Sequence, residues 1–444
     1  MLFILPEFYP NPGGGIATFY LHLLPLLVQS GHSIKVLVGS EFTQGEENLR
    51  YAGIDIELLK PAKFASYLFQ LRKLDLVPEI QRRLAAAWAM YDQAAAGRAY
   101  DLIESTDWGL GYVPWVLEKR KPVIVRLHGS CAQIATYDPP KGLRFQDDLL
   151  RALEAGTLPL ADQCITYSRN NQDFWKSALG LEASYIPPAY NFSSKDMPAE
   201  DTVPKTPYIL VVGRIQQWKG PEILCQALEK ASCPYPVYWI GRDTDFRTKA
   251  QSCNQYLMKK YPGLWGRKII PAGQKSCSMI RAWMQHARFG IVPSTWDVFN
   301  FTAIEWLSTG KPVICSKGAG AWELVDQARG GAVFEPSDTD QLAEIISRWS
   351  ALSDAALQSV GSAGQCSIQS ILNPGQIIEQ NLAIYQTLTD RHKPAAAPTL
   401  NWLHGCWMPA DAPGSRPAAM KQWPIREITW HVWTRVLEKL RGKL

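Results

Sequence analysis

The chain has 444 residues, 46% of them hydrophobic and 20% charged, with a net charge of +5. That length exceeds one ordinary core and predicts two or three domains, while the composition excludes a disordered chain, a polytopic membrane protein and a small disulfide scaffold. The charge is unevenly placed: residues 391–444 carry +6 and residues 1–390 carry −1, so the basicity belongs to the tail and does not announce a nucleic-acid partner.

The chain opens Met1-Leu2-Phe3-Ile4-Leu5 and runs straight into Pro6-Glu7, with neither a basic leader nor a cleavage site. This predicts a first strand and not a signal peptide. The longest apolar-rich run, residues 16–28, contains His22 and Pro25 and falls short of the ~20 residues of a spanning helix. The nine cysteines stand singly, without a C-x-x-C pair. They argue against a zinc ribbon or disulfide framework and predict a reducing, cytoplasmic setting.

Short apolar runs alternate with helical patterns, which predicts βαβ units and a parallel sheet. In the first half the predicted strands are 2–5, 34–38, 54–59, 102–104, 123–127 and 164–167, with helices at 16–30 and 78–99 among the connections. Residues 191–206, rich in Ser, Pro, Asp and Glu, are predicted as an interdomain linker. The alternation then resumes with strands at 208–212, 237–240, 269–271, 289–292, 312–315 and 332–334, and helices at 221–231, 277–286, 302–309 and 339–350. The predicted fold class is α/β, with two Rossmann-like, doubly wound domains facing a cleft. Open sheets of this kind place their chemistry beyond the carboxyl ends of the strands.

Three strand-end loops carry the candidate residues. In Pro10-Asn11-Pro12-Gly13-Gly14-Gly15 the glycines let backbone approach a ligand, and the next helix offers N–H groups to an anion. A tight turn without a ligand is the alternative, and the missing G-x-G-x-x-G weighs against a nicotinamide oxidoreductase. The second loop, Gly213-Arg214 through Lys219-Gly220, sets a planar guanidinium and a movable ammonium before a helix that starts at Pro221. Such a pair suits a diphosphate whose charge grows as it leaves; the alternative is two solvated surface cations. The third runs from Pro293 to Asn300 and into a helix. Asp297 stands in the loop, and Glu305 stands among Ala303, Ile304, Trp306 and Leu307. A carboxylate so placed needs a hydrogen-bond donor, for which a sugar hydroxyl or an internal salt bridge would serve.

Gly213-Arg214, Lys219-Gly220, Pro293-Ser294, the acidic-x7-Glu spacing from Asp297 to Glu305, and Gly310-Lys311-Pro312-Val313-Ile314 together resemble glycosyltransferase family 4, retaining enzymes of the GT-B fold. The Gly-rich first loop, Ser30-Gly31-His32-Ser33-Ile34-Lys35-Val36 and Leu127-His128-Gly129 resemble the N-terminal domain of the same family. The resemblance covers residues 1–390. It implies an acceptor-side domain over 1–190, a linker over 191–206, a nucleotide-sugar-binding domain over 207–373 and a helix over 374–390 returning to the first domain.

The resemblance also implies roles. Arg214 and Lys219 would bind the donor diphosphate and stabilise the leaving nucleotide, Glu305 would hold the ribose hydroxyls, and Asp297 would contact the transferred sugar. The Asn300 and Phe301 N–H groups would lie by the phosphate or sugar. His128 would meet the donor sugar from the other domain, and Gly14 and Gly15 would let backbone close on the diphosphate. The implied reaction moves a hexose from a UDP- or GDP-linked donor to a glycan, lipid-linked or small polar acceptor, in cell-surface polysaccharide or glycolipid synthesis. Neither cofactor nor metal is expected. His128 is not read as a general base, because in a retaining transfer the departing phosphate helps to deprotonate the acceptor. Two positions depart from the family pattern: Asp297 stands where Glu is usual, and Asn300 where Gly is common. A non-catalytic nucleotide-binding or interaction module on the same fold is the alternative.

Residues 391–444 lie beyond the resemblance. Residues 395–398 and 409–417 have linker composition. In residues 425–444, Ile425, Ile428, Val432, Trp433, Val436, Leu437, Leu440 and Leu444 fall on one helical face, which predicts an amphipathic C-terminal helix. Its basic charge and the tail's tryptophans suit peripheral contact with the inner face of a membrane; packing on the protein body is the alternative reading.

Overall fold

Strands buried on both faces by helices can be short and almost wholly apolar, and that pattern sets the architecture. The computed structural model describes residues 1–10, 13–138, 145–192, 203–246 and 248–393. The first lobe contains β1 (Leu2–Leu5), β2 (Lys35–Val38), β3 (Asn48–Tyr51), β4 (Ile54–Leu58), β5 (Ile103–Thr106), β6 (Val123–Arg126), β7 (Gln163–Thr166) and β8 (Ala183–Tyr185). They form an eight-stranded sheet in the order β3-β4-β2-β1-β5-β6-β7-β8. All neighbours are parallel except β3 and β4.

The second lobe contains β9 (Ile209–Val212), β10 (Val237–Ile240), the hairpin β11 (Asp245–Phe246) and β12 (Thr248–Ser252), then β13 (Ile269–Pro271), β14 (Gly290–Val292), β15 (Val313–Ser316) and β16 (Gly331–Phe334). Its six-stranded parallel sheet has the order β13-β10-β9-β14-β15-β16. In each sheet the winding reverses once, between β1 and β5 and between β9 and β14. The loops that leave these strands at their carboxyl ends border the switch points where open sheets bind ligands.

Three of the differences from the sequence reading have a plain local cause. β5 runs on to Thr106, because Ser105 Oγ donates to the Ile4 carbonyl at 3.3 Å and Thr106 Oγ1 to that of Trp108 at 3.3 Å, which lets hydroxyls stay in a buried strand. β3 pairs back on β4 through Ala52 and Gly53, both at positive φ, and its half-exposed alternation hid it from an apolar-run criterion. The helix predicted over 78–99 ends at Gln93, since Ala95 and Ala96 turn to positive φ.

Helix Pro374–Arg391 leaves the second lobe and packs on helix Gly15–Gln29 of the first. A polar cluster pins it there. Arg126 Nε donates to Glu104 Oε1 at 2.6 Å and Arg126 Nη2 donates to Asn381 Oδ1 at 2.8 Å. Tyr385 donates its hydroxyl to Glu104 Oε2 at 2.5 Å. Glu104 and Arg126 are both 0% exposed, so this is a fully buried ion pair shared between a sheet and a crossing helix. The amphipathic C-terminal helix expected over residues 425–444, with the rest of the tail beyond residue 393, lies outside the described residues.

Candidate active site

The cleft is built from strand ends. All of the predicted site residues, Gly14, Gly15, His128, Arg214, Lys219, Asp297, Asn300, Phe301 and Glu305, line one cavity of about 610 Å³ between the lobes. Two larger hollows, of about 710 and 810 Å³, border the residues that precede the strands, at the opposite ends of the sheets. Volume therefore does not single out the site; the convergence of charged and polar strand-end residues does.

The second-lobe wall is made by two loops laced together. The amide of Thr295 donates to the Trp218 carbonyl at 2.8 Å, and the Trp218 and Trp296 rings meet edge to face at 5.9 Å. Gly220 makes this approach possible: it sits at φ 74°, and a Cβ there would lie 1.8 Å from the Pro293 carbonyl oxygen. The lacing brings Lys219 against Asp297, and their side chains form an ion pair. Arg214 is exposed at the loop's other end. The Asp297 loop is fixed from behind as well, its N–H donating to Gly318 O at 2.8 Å and its carbonyl accepting from Gly320 N at 3.1 Å.

Asn300 takes φ 74° and ψ 85° at the start of helix Phe301–Ser308, and its Nδ2 donates to Ser294 Oγ at 3.3 Å. Asn is the side chain that tolerates this region best after Gly. The departure from the family pattern thus keeps the backbone conformation. One helical turn on, burial raises the Glu305 carboxyl pKa, and the Arg281 cation offsets part of that rise.

The first-lobe wall presents His128 after β6. Its ring is enclosed by Phe19, Tyr20 and Tyr167 at centroid distances of 5.1, 5.4 and 5.0 Å. Burial, with the Arg126 cation adding to it, pushes the imidazole pKa well below its usual value, so the ring is neutral. Nδ1 lies 2.7 Å from the Tyr167 hydroxyl, and Nε2 is buried without a partner among the described residues. When Tyr167 donates to Nδ1, the imidazole proton sits on Nε2, which is left to donate to an oxygen in the cleft.

Sequence reasoning missed the residues that hold this wall. Asp107 accepts from the amides of His128 and Gly129 at 2.8 and 3.2 Å, and Glu154 from those of Cys131 and Ala132 at 3.1 and 3.2 Å. Asp107 follows β5 directly, which was a usable signal; Glu154 lies within helix Phe145–Thr157 and gave none. At the Gly-rich loop, Glu7 Oε1 accepts from Ala17 N at 3.2 Å, and the nearby backbone of Gly14 and Ile16 offsets part of the rise that burial imposes on its carboxyl pKa. The helix start expected to receive an anion thus has a carboxylate of the chain beside it.

The lobes touch around the cleft. Tyr137 stacks on Trp296 at 4.3 Å, and Asn170 Nδ2 donates to Lys317 O at 2.7 Å. Among the described residues, no three His, Cys, Asp or Glu side chains group as a metal site, and no helix is long and apolar enough to cross a membrane.

Residues 13–193 match the family model described as Glycosyltransferase Family 4, and residues 206–351 match that described as Glycosyl transferases group 1. An uncharacterised glycosyltransferase of Methanocaldococcus jannaschii is 21% identical over 371 residues, 77% of this chain and 88% of the relative. A D-inositol 3-phosphate glycosyltransferase of Jonesia denitrificans is 25% identical over 253 residues, 52% of this chain and 59% of the relative. Among solved structures, sucrose-phosphate synthase from Thermosynechococcus elongatus superposes with a TM-score of 0.67 at 20% identity, covering 88% of this chain and 99% of that one. An Anabaena protein in complex with UDP and glucose does so with a TM-score of 0.64 at 19% identity, covering 87% and 100%. At these identities the solved structures speak to the fold.

Proposed function

For a chain that belongs to the family 4 and group 1 glycosyltransferases and has their GT-B fold, we propose a retaining transfer of a hexose from a UDP- or GDP-linked donor to an acceptor hydroxyl. The observation that carries this reading is the gathering of Arg214, Lys219, Asp297 and Glu305 on one wall of a single cleft, with His128 on the other.

The second lobe seats the donor. Glu305 accepts from the ribose hydroxyls, and Arg214 and Lys219 meet the diphosphate, so the charge that builds on the leaving group is neutralised by side chains and not by a metal. Gly14 and Gly15 add no side chain to the facing wall, so backbone there can close on the diphosphate, whose charge Arg214 and Lys219 offset against the neighbouring Glu7 carboxylate. The N–H groups of Asn300 and Phe301 face the phosphate or sugar. Asp297 exchanges its bond to Lys219 for hydroxyls of the transferred sugar as the diphosphate takes Lys219, and the neutral His128 donates from Nε2 to the same sugar. The acceptor oxygen then bonds the anomeric carbon on the face from which the diphosphate departs, and the hydroxyl proton leaves with the nucleoside diphosphate. Holding these groups in register is the main contribution of the protein.

The test is nucleoside diphosphate release from a panel of UDP- and GDP-hexoses, with the anomeric configuration of the product read by NMR. Lys219→Ala should lower turnover by about a hundredfold or more. Full activity in that variant, or an inverted product, would reject the assignment.

A further inference from the structure

The two walls of the cleft differ in charge. The second lobe offers the cations Arg214 and Lys219, whereas the first lobe meets the cleft with backbone donors already taken by its own carboxylates. Glu7 Oε1 accepts from the Ala17 amide in the first turn of helix Gly15–Gln29. Asp107 and Glu154, both buried, hold four amides from His128 to Ala132, and Ser130 Oγ accepts from Gln133 N at 3.1 Å. The His128–Ala132 amides, which would otherwise cradle an acceptor phosphate, are filled, and the Gly-rich loop beside Glu7 is left to the donor diphosphate.

What this wall leaves open is of another kind. Phe42, 79% exposed, stands in the cleft lining with Trp108, Ile134 and the hydroxyl-bearing Ser40 and Thr43. An exposed aromatic ring beside hydroxyls offers a flat apolar face and hydrogen bonds together, which is what a sugar ring presents in return. Among the described residues that line the cavity, the first lobe contributes one carboxylate, Glu7, and no Lys or Arg to meet an acceptor phosphate.

We infer that the acceptor is an uncharged sugar, offered as a hydroxyl on a ring whose apolar face rests against Phe42, and not a sugar phosphate or cyclitol phosphate. This rests on the reading of the cleft as a glycosyl-transfer site whose donor is held by the second lobe. The acceptor oxygen bonds the anomeric carbon, the bond from that carbon to the diphosphate breaks, and the hydroxyl proton departs with the nucleoside diphosphate.

The test uses the full chain. Nucleoside diphosphate release from UDP-glucose, UDP-galactose and GDP-mannose without acceptor gives a hydrolysis baseline, and nucleotide binding alone tests the donor reading. Methyl glucoside, galactoside and mannoside are then compared with glucose 6-phosphate, mannose 6-phosphate and inositol 1-phosphate at equal concentration. The best neutral glycoside should stimulate release by about tenfold or more over the best phosphate; equal or greater stimulation by a phosphate overturns the inference. Octyl glycosides beside methyl glycosides separate a lipid-linked from a free glycan acceptor.

Saturation-transfer NMR on the nucleotide-loaded protein reads acceptor binding apart from turnover. Ring-proton signals of the glycosides should be lost in Phe42→Ala while its UDP or GDP affinity stays unchanged. Glycoside signals that survive the substitution, or phosphate signals at least as strong, overturn the inference. A protein that binds neither UDP nor GDP fails the donor reading, and this inference falls with it.

Discussion

At φ 74° Asn300 occupies a conformation ordinarily left to glycine, and the first turn of the Phe301 helix depends on it. Replacing it by Gly keeps the backbone and should cost less than about 1 kcal/mol, whereas Ala should cost about 1–2 kcal/mol, because a Cβ without a polar tip gains nothing there. Urea unfolding of the two variants checks this ranking, and an Ala variant as stable as the parent would remove the conformational argument. Asp297 poses a different question, since its partner is Lys219, the residue assigned to the diphosphate. Asp297→Asn should tighten UDP or GDP binding by roughly fivefold, the ~1 kcal/mol of a partly exposed pair, while it slows transfer. Calorimetry against turnover separates the two effects. Weaker nucleotide binding in this variant would mean that the pair does not compete with the diphosphate.

Among the elements, the crossing helix Pro374–Arg391 depends on very few groups. Tyr385→Phe leaves Glu104 Oε2 one donor short and should cost about 1–3 kcal/mol. Glu104→Gln strands the Arg126 charge in a dry interior and should cost about 3–5 kcal/mol. Hydrogen exchange along residues 374–391 should rise in both variants, and unchanged protection there would show that the helix is held by its apolar face alone. The elements that position the site were legible because each is an apolar run closed by Gly, Pro or a helix start, as at Gly213, Gly220 and Pro221. The hairpin of β3 and β4 and the Glu154 support were not. A half-exposed edge strand lacks the apolar run, and a carboxylate inside a helix that bonds an amide 23 residues away leaves no local pattern.

Across the whole molecule the lobes, their order and the cleft follow from the twice-repeated strand–helix alternation, but the pH response comes from buried groups that sequence spacing cannot place. Burial pushes the Asp107 carboxyl up to about 8 and that of Glu154 to about 7, although amide hydrogen bonds oppose both shifts. Each group therefore binds its proton more tightly folded than unfolded, so the stability it lends is present at low pH and lost as pH rises through its folded pKa. His22, lowered by burial to about 4, and His128 act the other way: their contribution grows as pH rises and is complete near 6.5. The two sets offset one another below pH 6.5. Above it the carboxylates prevail, with the Met1 amine, lowered by burial, opposing them. The unfolding free energy should fall between pH 6.5 and pH 8.5, by no more than about 1.4 kcal/mol per pH unit for each proton. Asp107→Asn should flatten that fall, and it should disturb His128 as well, because the amide nitrogen would replace one of the two oxygens that separately accept from the His128 and Gly129 N–H groups. Urea midpoints measured across this range for parent and variant decide the matter; a parent stability that rises with pH would mean that these carboxylates are already ionised in the folded protein.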